Sequence, residues 1–143
     1  MLLKHIANFY PLIAAISAML TSQLIKILIT KSSSKKSTSL TQAGGMPSSH
    51  SALITAATLS IGLNDGFNSS IFFISVVLSL VVIYDARGIR HTVGQHATLL
   101  NKKLFLKEND QLDEQVGHTF PEIFVGICIG LMIAFIMYQF VKV

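Results

Sequence analysis

The sequence predicts an all-α fold, a polytopic membrane helix bundle with about four transmembrane spans and one short interfacial helix. Three observations lead there. Of 143 residues, 51% are hydrophobic and 13% charged, against about 25% charged in an ordinary soluble domain, and mean hydropathy is +0.60. The apolar residues gather into runs long enough to cross a hydrocarbon core of about 30 Å. Between the runs lie short polar segments with turn signals and most of the lysine and arginine. By length, residues 1–143 make one membrane-embedded domain.

The first run is Phe9–Thr30. No small-residue cleavage site ends it and Gln23 and Lys26 interrupt it, so it is expected to stay as a helix and not to leave as a signal peptide. Gln23 and Lys26 are three apart and share a helix face; the lysine can snorkel to the interface or point into the protein. Residues 31–42, with Lys31, Lys35 and Lys36 among serines and threonines, are expected to form a flexible basic loop. The second run, 46–63, is rich in Ala, Ser, Thr and Gly. Small residues let helices approach closely, which puts this one at the centre of the bundle. After the turn Asn64-Asp65-Gly66, residues 69–84 form a strongly apolar third span. Residues 92–106 mix apolar and polar side chains as an interfacial helix does. A charged loop over 107–115 precedes the last span, 123–140, where Gly126 and Gly130 stand four apart, the spacing of a close helix contact. His118 and Glu122, at the start of that span, suit helix capping or an interface.

One stretch organises the chemistry. Gly44-Gly45-Met46-Pro47-Ser48-Ser49-His50-Ser51 is a glycine-led turn running into an apolar helix. Glycine allows close backbone approach, Pro47 suits the first helical position, and Ser48 and Ser49 bring hydroxyls to a helix start, which attracts phosphate. The hairpin of the second and third spans returns the chain to the same membrane face, so Asp85, Arg87, Arg90, His91 and His96 join Ser48, Ser49, His50 and Lys26 or Lys31 there. Arginine forks bind phosphoryl oxygens, lysine adds a point charge, and of two histidines one can attack phosphorus while the other protonates the leaving oxygen. Zinc held by His50, His91 and His96 is the weaker alternative, since no cysteine or His-Glu-x-x-His pattern accompanies them.

At these residues the chain resembles a family. Pro47-Ser48-Ser49-His50 is similar to the Pro-Ser-Gly-His motif of the type-2 phosphatidic acid phosphatase and vanadium haloperoxidase superfamily, and Arg90, five residues and His96 are similar to its Arg-x5-His. Gly44 to Ala52, then Tyr84-Asp85-Ala86, Gly88, Arg90, Gly94, Leu100-Asn101 and Gly117-His118-Thr119, resemble the small divergent membrane branch of that superfamily, and the likeness covers 23–130. The resemblance implies a lipid phosphate substrate, with His50 as general acid, His96 as nucleophile, and Ser48, Ser49, Arg90 and a basic residue such as Lys26 holding the phosphate. It implies neither cofactor nor metal. The chain has Ile89 where the superfamily has serine, Leu100 where it has the aspartate that follows its histidine, and no lysine-led first motif. Asp85 is a candidate to replace the aspartate. An unbroken helix would leave Asp85 about 16 Å from His96, so it meets His91 or His50 only if Gly88 or Gly94 breaks the helix.

The expected activity is hydrolysis of a membrane lipid phosphomonoester or pyrophosphate; the alternatives are a degenerate relative that binds anionic lipid without cleaving it, or a structural or transport subunit. The basic loops place the polar clusters on the cytoplasmic face of a bacterial plasma membrane, with both termini outside. Membrane lipids are the expected surroundings, no nucleic acid is expected despite a net charge of +4, and few spans leave room for a homodimer.

Overall fold

The computed structural model describes residues 2–32, 44–104, 111–114 and 116–141, and the regular elements among them are all α-helices. They are α1 (Leu2–Ser32), α2 (Ser49–Asp65), α3 (Ser70–Arg87), α4 (Ile89–Leu104) and α5 (Phe120–Val141). Among the described residues, three stretches are long and apolar enough to cross a membrane: Phe9–Thr30 in α1, Ser70–Leu104 running through α3 into α4, and Phe120–Phe140 in α5. Most of the basic loop expected over 31–42, and residues 107–110 and 115 of the charged loop, lie outside the described residues.

The 17-residue α2 packs against α1, α3 and α5. Its composition explains its place. Ser51, Ala52, Ala56, Ser60 and Gly62 are buried, and the core where the helices meet is mostly alanine: Ala18, Ala52, Ala56 and Ala134 with Ile129. Backbones held this close gain dispersion contacts that lipid tails would otherwise supply. A Cβ on Gly126 would strike the Ser48 carbonyl oxygen, and one on Gly130 would lie 2.5 Å from the Ala52 carbonyl oxygen. The four-residue glycine spacing is thus the close seam between α5 and α2. Hydrogen bonds pin the neighbours: Tyr10 donates to the Ala134 carbonyl at 2.6 Å, and the Thr58 and Ser79 hydroxyls meet at 2.6 Å. The outward faces are apolar, with Leu24, Leu28, Ile74, Leu80, Phe124 and Phe135 all exposed, as suits an integral membrane protein with lipid around it.

Two local expectations are corrected. Pro47 does not occupy the first helical position: α2 begins at Ser49, with Ser48 as its N-cap. A serine cap binds a backbone N–H through its side chain, which proline cannot do, so the cap sets the boundary. The helix after Gly88 begins at Ile89 and not at residue 92, because the chain needs only that one glycine to turn from α3 into α4.

Candidate functional site

At one end of the bundle the start of α2, the end of α3, the start of α4 and the segment leading into α5 come together. They enclose a cleft of about 270 Å³ whose polar walls are His50, Asp85, Arg90 and His118 and whose apolar floor includes Val81 and Val82. The two polar clusters separated by the hairpin therefore meet. Gly88 makes part of this possible: its N–H closes α3 on the Tyr84 carbonyl at 2.7 Å, and the chain turns there. Asp85 then reaches neither His91 nor His50 by a hydrogen bond. It accepts one from Arg90 Nε at 2.6 Å, with both side chains part-exposed.

His118 reaches the cleft by a chain of local fits. The Asn101 side chain takes the N–H of Leu112 at 2.9 Å and gives a hydrogen bond to its carbonyl at 3.0 Å, as a neighbouring strand would. Asn101 and Thr98 also donate to Glu114 at 2.8 and 3.0 Å, and these bonds hold the exposed Glu114 carboxyl below its ordinary pKa. Gly94 lies so close that a Cβ would stand 2.8 Å from the Val116 carbonyl. Gly117, at φ +90°, has the His91 backbone where a side chain would be, so only glycine serves there. The His118 N–H then bonds the Ala86 carbonyl at 3.0 Å.

The His118 ring is 2% exposed. Its Nδ1 lies 3.2 Å from Glu122 Oε2, the same oxygen that accepts the Thr119 N–H at 3.0 Å, half of a capping box for α5. The Glu122 carbonyl accepts the Ser48 N–H at 3.0 Å. Burial pushes the His118 pKa below its ordinary 6.5; the Glu122 hydrogen bond opposes this and the nearby Lys26 charge adds to it. The ring is therefore neutral at pH 7. With an ionised carboxylate facing Nδ1, that nitrogen carries the proton and Nε2 keeps a lone pair. Nε2 is buried and has no hydrogen-bond partner.

The other candidates occupy distinct places. Lys26 is 7% exposed, turns inward beside Gly45 and does not line the cleft; the Glu122 carboxylate acts on it electrostatically without forming a close ion pair, and its charge, with those of Arg90 and Asp85, acts on His50. Ser48 is buried, its oxygen accepting from the Ser51 N–H at 3.4 Å and the Ser51 hydroxyl at 2.9 Å. Ser49 is 8% exposed, and neither serine lines the cleft. Arg87 turns away, its guanidinium 4.5 Å from the centre of the Phe120 ring. His91 faces Gln95 at 3.4 Å, and His96 is exposed on α4 outside the cleft lining. Among the described residues no three histidine, cysteine or carboxylate side chains converge as a metal site would need.

His118 is the cleft residue whose place there the sequence did not announce. Its signals were the Gly117-His118-Thr119 stretch, part of the family resemblance, and Glu122 four residues on, which read as a helix cap or an interface. The cleft lining offers an anion one cation, Arg90, with two histidines alongside, and the charge of the buried Lys26 acts on both histidines from behind it.

Residues 7–133 match the family described as the Divergent PAP2 family. The uncharacterized membrane protein YuiD of Bacillus subtilis (strain 168) is 31% identical over 157 aligned positions, covering 96% of this chain and 99% of that one. No solved structure matches the chain.

Proposed function

The chain belongs to the Divergent PAP2 family, and from that premise we propose that it is a membrane phosphatase acting on a lipid phosphate, cleaving a phosphomonoester or pyrophosphate with histidine and arginine side chains and no required metal. The observation that carries this reading is the cleft that His50, Arg90 and His118 line together at the polar end of an apolar bundle. Arg90 uses Nε for Asp85, which leaves its two terminal nitrogens to fork onto phosphoryl oxygens. Lys26 adds charge from the bundle side, where a low dielectric strengthens its pull on an anion. A bound phosphate dianion favours the protonated form of His50, which then gives its proton to the leaving oxygen. The apolar tail of the lipid lies against the exposed faces of the helices. Lys102 and Lys103 in the last turn of α4, with the lysines of 31–36, support a cytoplasmic-facing site in a plasma membrane.

A second reading, binding of a lipid phosphate without turnover, draws on the Arg90–Asp85 pair and on the Ser48 oxygen committed to its own cap. One experiment separates the two. The detergent-solubilised protein is given phosphatidate, phosphatidylglycerophosphate and a polyprenyl pyrophosphate, and both phosphate release and lipid binding are measured. Release from at least one lipid, falling in Arg90→Ala, is the phosphatase outcome. Arg90-dependent binding with no release from any of them contradicts it and selects the second reading.

A further inference from the structure

Among the described residues, two buried nitrogens at this end of the molecule have no hydrogen-bond partner, Arg87 Nε and His118 Nε2, and of the two only His118 belongs to the cleft lining. Buried polar atoms are nearly always satisfied, so an orphan in a cleft calls for a ligand or a chemical use. Its surroundings specify that use. Glu122 Oε2 accepts a hydrogen bond from Nδ1 at 3.2 Å and another from the Thr119 N–H at 3.0 Å, which fixes the ring's orientation and tautomer. The His118 N–H to Ala86 and the close seating of Gly117 on the His91 backbone fix the main chain. What remains is one lone pair on a ring that belongs to the cleft lining with His50 and Arg90; the atom itself is covered, so a small side-chain movement must uncover it before a phosphoryl group reaches it. An unprotonated, oriented imidazole nitrogen in a cleft with Arg90 and a second histidine, and under the charge of Lys26, is the constellation of a nucleophile for an electrophilic anion.

The geometry points to His118 as the residue that accepts the phosphoryl group, with Glu122 as its positioning residue, an inference that rests on the phosphatase reading above. In the first half-reaction the Nε2 lone pair forms a bond to phosphorus, the bond from phosphorus to the ester oxygen breaks, and protonated His50 gives its proton to that oxygen, releasing the alcohol. Glu122 balances the charge gained by the ring. In the second, water adds to phosphorus, the Nε2–phosphorus bond breaks, and His50 takes the water's proton, so that both histidines return to their starting states and orthophosphate leaves.

The test follows phosphate covalently on the full-length protein in detergent, using phosphatidate labelled in its phosphate, with rapid quenching and peptide mapping. The expected result is an acid-labile label on the peptide carrying His118. In His118→Gln that label is absent and kcat is down about 100-fold or more. Glu122→Gln is expected to lower kcat with KM little changed, a split that a purely structural loss does not give. Label on His50 or His96, or turnover in His118→Gln within about threefold of the parent, a loss too small for a nucleophile, overturns the assignment. So does wild-type turnover with no trapped label, which leaves the phosphatase reading standing. Absence of turnover in the wild type removes that reading and this one together. If His118→Gln does not fold, the mapped label on the wild type decides alone.

Discussion

Arg90 and Asp85 illustrate what a single side chain decides at this site. Their 2.6 Å bond exists because Gly88 ends α3 between them, and that much was legible: two polar clusters returned to one face by a hairpin, with a glycine where the helix had to break. The second histidine of the cleft was not legible. His96 lies at a regular spacing from Arg90, yet α4 leaves it exposed, while His118 arrives from 28 residues beyond Arg90 through contacts of Asn101, Gly94 and Gly117 that have no periodicity. His118 also makes a pH prediction. Its pKa is lowered in the folded protein, chiefly by burial, so above its ordinary 6.5 both folded and unfolded chains hold it neutral and it adds no pH dependence. As pH falls through that value the unfolded chain takes up a proton that the folded one refuses, and stability declines until the folded value is passed. Thermal unfolding in detergent between pH 8 and pH 5 is expected to show a steeper loss in the wild type than in His118→Gln. Equal slopes would remove the burial argument.

At the scale of elements, α2 is held by smallness. Its alanines and serines face Gly126 and Gly130 of α5, and the four-residue glycine spacing announced that seam because close approach has few other sequence signatures. The start of α2 was harder to place: a proline and two serines compete for the boundary, and the decision falls to the Ser51 N–H, which the Ser48 oxygen accepts. The seam gives a sharp expectation. Gly130→Leu puts a branched side chain where even a Cβ would lie 2.5 Å from the Ala52 carbonyl, so overpacking should cost about 1–3 kcal/mol. Gly66→Ala is a control for glycine conformation alone, since φ is +92° there and a Cβ would touch nothing. Denaturation in mixed micelles should rank Gly130→Leu as the more damaging; the reverse order would mean that α5 and α2 are not in close contact.

For the whole molecule, composition and structure express the same physics. A chain with 13% charged residues buries alanine and serine and exposes leucine, isoleucine and phenylalanine, the reverse of a soluble protein and the arrangement lipid requires. Asp85 and Arg90 sit at one end, in the cleft, while the lysines and arginines also bear on orientation. The two uses separate experimentally. Cys128 is the single cysteine; with Cys128→Ala as background, a cysteine placed at Lys103 is expected to react with impermeant reagent only from the cytoplasmic side, and one at Asn64 only from the opposite side. The reverse labelling would put the cleft on the outer face without altering its chemistry. The central claim is that this cleft cleaves a lipid phosphate, and its most direct test is kcat/KM for phosphate release by the wild type, His50→Ala and Arg90→Ala side by side. Measurable wild-type turnover with both variants reduced about 100-fold or more is the predicted result; variants as active as the parent, or a wild type with no turnover, would contradict it.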